Sequence, residues 1–469
     1  MRRDLLRDGV AYADGWLAHQ RELREIPGMV VAVQHEDELL LSKGYGFANL
    51  EHQIPVTPDH VFRIASHSKT FTATAIMQLV EDGQVRLDDA VSSYVGWLDA
   101  PATVRQLLNH VGGLTRDGLE AIFWQLAQPF PDVEGLRAIV RDAGRVLEPN
   151  QQFKYSNIGY SLLGLVVEAA SGQPYNDYVK THIVDRLGLR NTGPEMVPDL
   201  ADRLVTAYTA RRPPLPRLPI QDVETRAMSA ATGFYSTAAD LCRYARAHYL
   251  GNEELLSDAS KREMQQPYWV VEQADASYGL GFAVQTIGER RMIGHGGGFP
   301  GHSTTTLIDP REWLVVVVLN NTIGPGGLAA PLATSVVKIL NHALAADEAR
   351  ESLPYPRERY IGRFMDLWGV TDIAAFGNTL QALNPDEDDP TARVADLEVA
   401  DADSLRIARA NGYGSPGESV RYERDASGGV TGVWIGGTRS LPSRMFADHL
   451  RRLESVRAAP VTPAPSPEA

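Results

Sequence analysis

The sequence predicts a mixed α/β (α+β) protein that ends in a small antiparallel β-barrel. Three patterns support this prediction: a strand hairpin at residues 29–42, long stretches with helical periodicity, and short strands with Gly-rich turns after residue 358. A chain of 469 residues is too long for one ordinary domain, so two or three domains are expected.

The first two hundred residues change from strands to helices. Two apolar runs joined by a charged turn at residues 29–42 have the pattern of a β-hairpin. A buried helix is predicted to begin at residues 66–69 and to continue to residue 80. Helical patterns then dominate to about residue 210, for example at 158–170.

A Pro-rich connector at residues 211–219 follows this helical region. After it we expect a helix at 238–249, several strands between about 278 and 320, and a helix at about 329–344. The composition then changes, and residues 346–358 are predicted to be a linker.

The last part of the chain has the pattern of antiparallel strands. Residues 420–424 and 430–434 are strand-like, and the connecting residues read DASGG, which predicts a hairpin. Several such short strands over residues 359–457 suggest a small barrel. The Ala/Pro-rich end, residues 458–469, is predicted to be disordered.

The composition argues against several functional classes. The formal net charge of −14 disfavours a nucleic-acid partner and an anionic membrane surface. No window of about eighteen residues is apolar enough to span a bilayer. Residues 1–10 lack the apolar core of a secretory signal, so a cytoplasmic location is expected. Cys242 is the single cysteine, which excludes an internal disulfide.

The first candidate for catalysis is Ser66, which precedes Lys69 by three residues at a predicted helix start. The two side chains would then lie one turn apart on the same helix face. A serine hydroxyl becomes nucleophilic when a neighbouring group takes its proton, and a partly desolvated lysine has a pKa low enough to do so. Taken alone, this pattern more often marks a helix cap with a solvated lysine, so its weight depends on other motifs.

Two further motifs follow in the chain. Tyr155 supplies a phenol that can act as a base beside a cation, and Asn157 supplies an amide for a substrate and the lysine. Residues 294–298 read GHGGG and precede the strand-like run 314–319. Small residues there let a substrate backbone approach a strand edge, where a free N–H group can stabilise an oxyanion.

In this order the three motifs resemble those of the serine β-lactamase and penicillin-binding-protein superfamily. The Y-x-N at residues 155–157 is similar to that of class C β-lactamases, DD-peptidases and family VIII esterases. The H-x-G that begins at His295 is similar to the variant of D-aminopeptidases and related esterases, where K-T-G would otherwise stand. Three further segments resemble the family, so that the likeness spans about residues 25–345: 103–114, 232–241 and 278–282.

The resemblance implies a β-lactamase/DD-peptidase-like fold, with an antiparallel sheet flanked by helices plus an all-helical subdomain. We therefore expect a serine hydrolase domain over residues 1–345. Its α/β part is expected at about 1–80 and 215–345, and its helical part at about 81–214. The predicted barrel at 359–457 resembles the lipocalin-like domain of some S12-type peptidases and esterases. It either packs and oligomerises or shapes the substrate cleft.

The resemblance also implies the roles of individual residues. Ser66 would attack a carbonyl carbon, while Lys69 and Tyr155 would carry its proton to the leaving group; water would then hydrolyse the acyl-enzyme. Which of the two is the formal base stays open, because coupled groups titrate together. The implied substrate contacts are Asn157, His295 and Gly297, and the implied oxyanion hole consists of the N–H groups of Ser66 and Gly298.

The histidine of the third motif indicates which substrates the protein prefers. His295 stands where a lysine would hold a substrate carboxylate, and a histidine is mostly neutral at pH 7 and shorter. We therefore predict poor use of substrates that need a free carboxylate. Amide bonds of small peptides or amides, D-amino-acid-containing and recognised from the amino end, are the favoured substrates.

Three alternative functions remain: a family VIII-type carboxylesterase, a β-lactamase, and a non-catalytic binding or scaffold protein that keeps the fold. We expect no metal or cofactor, since the sequence has no H-E-x-x-H or Cys/His cluster. The expected partner is a small-molecule substrate, and a homo-oligomer is left open.

Overall fold

The computed structural model describes residues 3–98, 102–272, 276–324, 328–346, 351–411 and 414–457. These residues form two compact units. One unit is Arg21–Val337, and the other contains the described residues of 1–20 and 338–469. The predicted disordered tail, residues 458–469, lies outside the described residues.

The unit Arg21–Val337 contains thirteen strands among its described residues. They are β1 (Gly28–His35), β2 (Glu38–Asn49), β3 (Ile54–Pro55), β4 (Phe62–Arg63), β5 (Ala207–Tyr208), β6 (Pro219–Ile220), β7 (Tyr235–Ser236), β8 (Trp269–Val271), β9 (Ala276–Tyr278), β10 (Ala283–Ile287), β11 (Arg290–Phe299), β12 (His302–Asp309) and β13 (Leu314–Asn320). Nine of them form an antiparallel sheet in the order β3-β2-β1-β13-β12-β11-β10-β9-β8. Two short strand pairs, β4 with β7 and β5 with β6, lie outside it.

Helices account for most of the remaining regular structure. Among the described residues, none of them is long and apolar enough to cross a membrane. In chain order they are α1 (Arg3–Leu23), α2 (Ser68–Glu81), α3 (Val104–Leu108), α4 (Val133–Ala143), α5 (Asn157–Ser171), α6 (Tyr175–Val179), α7 (Ser229–Thr232), α8 (Ala238–Arg246), α9 (Asp258–Met264), α10 (Ala329–Leu344) and α11 (Ser443–Arg457).

The helix α2 lies in the core of its unit, as its apolar composition predicts. Every residue from Ser68 to Leu79 is buried. A one-turn 3₁₀ helix, Ala65–His67, precedes it and follows the short strand β4. The aromatic rings of Phe234 and Tyr244 stack on Phe71 at centroid distances of 4.3 and 3.8 Å. This packing fixes the start of α2, where the S-x-x-K motif lies.

The second unit contains a closed antiparallel barrel, which confirms the predicted barrel. Its eight strands follow one another around the barrel, and the last strand pairs with the first. Inward side chains such as Phe364, Leu397, Leu405 and Val433 form its core. The strands are β14 (Gly362–Met365), β15 (Val370–Phe376), β16 (Thr379–Leu383), β17 (Ala395–Asp401), β18 (Ser404–Arg409), β19 (Ser419–Arg424), β20 (Val430–Ile435) and β21 (Thr438–Pro442).

The first helix belongs mostly to the barrel unit, which differs from the expected division at residue 345. Its residues up to Gln20 group with the barrel, and so does α10 from Lys338 onward. The Asp8 carboxylate accepts hydrogen bonds from Arg357 and from the Gly377 N–H, each at 2.8 Å. Contacts with residues far along the chain thus bury part of this helix, including Leu5, Leu6 and Val10.

Candidate active site

Ser66 lies in the 3₁₀ turn between β4 and α2, on a backbone that neighbouring residues hold in place. Ala65 has a φ of +49°, a left-handed conformation that a residue with a side chain rarely adopts. His67 donates from Nδ1 to the carbonyl oxygen of Ile64 at 2.9 Å. The N–H of Ile64 donates in turn to the carbonyl oxygen of Phe234 at 2.9 Å. The turn thus holds Ser66 in one position at the edge of a cavity.

Lys69 is fully buried and lies next to Ser66, as the motif predicts. Its Nζ is 3.0 Å from Ser66 Oγ, 2.8 Å from Asn157 Oδ1 and 2.8 Å from the carbonyl oxygen of Ala231. Burial lowers the pKa of Lys69 well below its ordinary value, while the charge of Asp117 opposes that shift. These conditions favour a neutral amine beside the serine.

Tyr155 is the second neighbour of the serine hydroxyl, and its OH donates to Ser66 Oγ at 2.9 Å. Burial raises the pKa of Tyr155. Ser156 caps the helix α5, because its Oγ accepts from the Gly159 N–H at 2.8 Å. The Ser156 N–H donates to His110 Nδ1 at 3.2 Å, and the His110 ring lies 4.2 Å from the Tyr155 ring. The cap and the histidine fix where the phenol points.

Asn157 is the first residue of α5, and its amide joins Lys69 to an acidic residue that sequence reasoning missed. Its Nδ2 donates to Asp117 Oδ1 at 2.7 Å. The indole Nε1 of Trp124 donates to the same oxygen at 2.9 Å. Arg116 lies beside them, with Nε 3.3 Å from Asp117 Oδ2. The sequence offered one signal, since these residues closely follow the family-like segment 103–114.

His295 on β11 is held in one tautomer. Its Nδ1 lies 2.6 Å from the carbonyl oxygen of Gly296, which can only accept, so Nδ1 carries the proton. Its Nε2 therefore accepts from the OH of Tyr278 at 2.9 Å. Burial lowers the pKa of His295 to about 3. The imidazole is thus neutral, as predicted, and both nitrogens already have partners.

The two glycines that follow His295 have different surroundings. A Cβ at Gly297 would lie 2.2 Å from the carbonyl oxygen of Ile64, which precedes the serine turn by one residue. A Cβ at Gly298 would have nothing within 4 Å. Gly297 therefore lets β11 pack against the turn, while Gly298 faces open space.

Five of the seven predicted site residues line one cavity of about 470 Å³. Lys69 lies behind it, and Gly297 packs against Ile64 and Thr304 instead of lining it. Within the described ranges, no group of three or more His, Cys, Asp or Glu side chains is arranged to hold a metal ion. The lining residues are Ser66, Arg116, Asp117, Trp124, Tyr155, Asn157, His295, Gly296 and Gly298.

Comparison with known proteins supports the likeness in both sequence and fold. The family model described as Beta-lactamase matches residues 13–340. Penicillin-binding protein 4* of Bacillus subtilis (strain 168) is 30% identical over 311 residues, which cover 63% of this chain and 68% of that protein.

Two solved structures share the fold at lower identity. The octameric penicillin-binding protein homologue from Pyrococcus abyssi has a TM-score of 0.66 at 23% identity, covering 92% of this chain and 99% of that one. The D-amino acid amidase from Ochrobactrum anthropi SV3 has a TM-score of 0.61 at 24% identity, covering 72% of this chain and 100% of that one.

Proposed function

Because this chain belongs to the beta-lactamase family, we propose that it is a serine hydrolase that forms an acyl-enzyme on Ser66. One observation carries the proposal. The Oγ of Ser66 lies 3.0 Å from a buried lysine amine and 2.9 Å from a buried phenol, on the edge of a cavity. A hydroxyl with two such neighbours has a route for its proton, which a nucleophilic serine requires.

The proposed chemistry begins with neutral Lys69. Two of its hydrogens bond to Asn157 Oδ1 and to the carbonyl oxygen of Ala231, so its lone pair points to the hydroxyl of Ser66. Ser66 Oγ attacks the carbonyl carbon of the substrate while its proton moves to Lys69 Nζ. Tyr155 gives its proton to the leaving nitrogen and regains one from the Lys69 ammonium. Water then hydrolyses the ester on Ser66 by the reverse proton path.

The oxyanion that forms during attack needs donors on the cavity side. We assign this role to the N–H groups of Ser66 and Gly298, which both line the cavity. The absence of a side chain at Gly298 supports this assignment, because a Cβ there would face open space and the backbone is accessible.

We propose that the enzyme cleaves amide bonds of small peptides or amides, which contain D-amino acids and are recognised from the amino end. The supporting observation is His295, which is neutral and whose two nitrogens are occupied by Tyr278 and Gly296. It offers neither a positive charge nor a free donor to a substrate carboxylate. The D-amino acid amidase with the same fold also supports an amide substrate.

The test is a rate screen of wild type, Ser66→Ala and Ser68→Ala on a D-alanine anilide, a short-chain nitrophenyl ester and a chromogenic cephalosporin. Ser68→Ala is the matched control because Ser68 Oγ bonds to the Ala65 carbonyl and the Phe234 N–H, away from the cavity. We expect hydrolysis of the anilide to fall at least 10³-fold in Ser66→Ala and to persist in Ser68→Ala.

Other outcomes of the screen identify the alternatives. Cleavage of the ester alone indicates a family VIII-type carboxylesterase, and fast cephalosporin hydrolysis indicates a β-lactamase. Failure of all three substrates in the wild type would contradict the proposal and favour a non-catalytic binding or scaffold protein.

We also propose that the chain assembles into a homo-oligomer. The support is the octameric homologue from Pyrococcus abyssi, which shares the fold over 92% of this chain. Light scattering coupled to size-exclusion chromatography tests this directly. A monomer mass at all concentrations would contradict it.

A further inference from the structure

A carboxylate lies behind the amide that contacts Lys69. Asp117 Oδ1 accepts from Asn157 Nδ2 at 2.7 Å and from Trp124 Nε1 at 2.9 Å. Asn157 Oδ1 faces the opposite way and lies 2.8 Å from Lys69 Nζ. Three groups thus form a continuous hydrogen-bonded row that ends 3.0 Å from Ser66 Oγ.

This row allows only one orientation of the Asn157 amide. If the amide were reversed, its oxygen would face the carboxylate of Asp117 and its NH₂ group would face the amine of Lys69. The first contact would bring two acceptors together, and the second would remove one of the two carbonyl acceptors of the buried amine. The carboxylate therefore selects the orientation in which Asn157 offers an acceptor to Lys69.

The backbone around Asp117 is tied to the same helix. The carbonyl oxygen of Arg116 accepts from the N–H groups of Asn157 and Ile158 at 2.9 and 3.2 Å. Ser156 Oγ donates to the carbonyl oxygen of Thr115 at 2.6 Å. Because these bonds hold both ends of the Asp117–Asn157 pair, the distance between them is fixed by the fold, as a positioning group requires.

We infer that Asp117 is a positioning residue that orients Asn157 and stabilises the ammonium that Lys69 becomes when it takes the proton of Ser66. This inference rests on the proposed function and goes beyond it by assigning a residue outside the three sequence motifs. A carboxylate behind a catalytic histidine performs the same two tasks in serine proteases. Here a carboxamide stands between the carboxylate and the base.

The effect of Asp117 on Lys69 can be measured, because the charge of Asp117 shifts the pKa of Lys69. Burial lowers the pKa of both neighbouring histidines, so they are neutral. Arg116 lowers the pKa of Lys69 and Asp117 raises it. Among the described residues, the charged or titratable groups that face Lys69 are His110, Arg116, Asp117, Tyr155, Tyr160 and His295.

The experiment measures phosphonylation of Ser66 by a fluorophosphonate, in which an O–P bond forms and fluoride leaves, as a function of pH. Intact mass and peptide mapping locate the label. Asp117→Asn keeps the shape and removes the charge. Asp117→Glu keeps the charge and displaces it. The matched control is Asp142→Asn, since Asp142 is also paired with the preceding arginine, at 2.8 Å, but is exposed on α4.

We expect Asp117→Asn to slow labelling about ten- to hundredfold at its plateau, as for the loss of groups that orient a reacting residue. The acid limb of the labelling profile of this variant moves to lower pH by roughly one unit, because the negative charge of Asp117 no longer favours the Lys69 ammonium. Asp117→Glu lowers the plateau and keeps the wild-type acid limb. Asp142→Asn matches the wild type.

Other results overturn the inference. If the acid limb of the labelling profile stays at the wild-type pH in both Asp117→Asn and Asp117→Glu, Asp117 has only a structural role, whatever the plateau rate. The proposed function would not be affected by that result. An unlabelled Ser66 in the wild type would overturn the proposed function, and the inference with it. If Asp117→Asn does not fold, Asp117→Glu alone tests the inference. An unchanged plateau rate of labelling in Asp117→Glu would contradict a positioning role for Asp117.

Discussion

The OH of Tyr278 donates to Nε2 of His295 at 2.9 Å, from a strand that is separated from β11 by β10. This bond occupies the one ring nitrogen of His295 that could otherwise bind a substrate. The other nitrogen donates to the neighbouring carbonyl oxygen of Gly296. The imidazole is thus neutral and held in one orientation where it lines the cavity. It does not provide the cation that a lysine would supply at this position.

We therefore expect His295→Lys to change which substrates are used. A lysine there adds a positive charge to the cavity, so peptides with a free carboxylate gain relative to their amidated forms, by about tenfold in kcat/KM. Matched pairs of free-acid and amidated dipeptides measure this ratio. Tyr278→Phe is the control, because it frees Nε2 without adding charge and leaves the ratio near the wild-type value. An unchanged ratio in His295→Lys would contradict the prediction.

The activity of the wild type is expected to depend on pH through Lys69. Burial lowers its pKa well below the ordinary value, so the reactive neutral amine accumulates as the pH rises through that lowered pKa. Burial raises the pKa of Tyr155, so the phenol keeps its proton through neutral and mildly alkaline pH. The kcat/KM profile should therefore rise on an acid limb and then stay flat.

A matched variant tests the assignment of that limb. Lys69→Arg places a permanent cation beside Ser66 and should lose most activity at every pH, since arginine does not act as a base. A wild-type rate that still rises through pH 10 would contradict the lowered pKa of Lys69. It would instead assign the rise to a group with an ordinary amine or phenol pKa.

Local patterns predicted the parts of the fold that depend on local physics. The helix predicted at about 329–344 matches α10, and the predicted hairpins at 29–42 and 420–434 match the strand pairs β1 with β2 and β19 with β20. The periodicity of apolar residues and the residue types of the turns determine such elements. The predicted helix at 238–249 ends earlier, at Arg246, and helix α11 was not predicted.

The contacts made across the fold could not be predicted in the same way. The spacing of Ser66 and Lys69 follows from one helix turn, and the motifs indicated Tyr155 and Asn157. The hydrogen bond between Asn157 and Asp117 joins residues forty positions apart. Such a pairing depends on how a loop packs on the start of α5, and nothing in the local pattern of a single aspartate specifies it.

The packing of β11 on the serine turn leads to a prediction for Gly297. A Cβ there would lie 2.2 Å from the carbonyl oxygen of Ile64, so Gly297→Ala must push the strand away from the turn. We expect a loss of about 1–3 kcal/mol in the free energy of unfolding, as for overpacked cores. Gly298→Ala is the matched control, because its Cβ meets nothing within 4 Å. Equal denaturation midpoints for the two variants would contradict the close approach.

The last prediction concerns Arg63, which lies three residues before Ser66 and is fully buried. Its guanidinium lies 3.2 Å from Glu195 Oε2 and 2.9 Å from Asp222 Oδ1. It also donates to the carbonyl oxygens of Gly233 and Val223 at 2.6 and 2.5 Å. The variant Arg63→Met fills a similar volume and leaves the carboxylates of Glu195 and Asp222 without this buried cation.

Breaking one side of a buried ion pair typically costs about 3–5 kcal/mol of unfolding free energy, and we expect a loss of that size at pH 7. Burial raises the pKa of Glu195 and of Asp222, and removing the cation raises both further. A group whose pKa is raised on folding favours the folded state below its unfolded pKa and loses that contribution as the pH rises. The difference between Arg63→Met and the wild type should therefore shrink at pH 4.

Denaturant titrations at pH 7 and pH 4 measure this difference. Arg141→Met is the control, because Arg141 pairs with Asp142 at 2.8 Å in the solvent-exposed part of α4, and the loss of such a surface pair should leave the denaturation midpoint near that of the wild type. An equal loss at both pH values in Arg63→Met would mean that the hydrogen bonds to the Gly233 and Val223 carbonyls matter more than the two carboxylates. In that case charge neutralisation does not explain why an arginine is buried behind the serine turn.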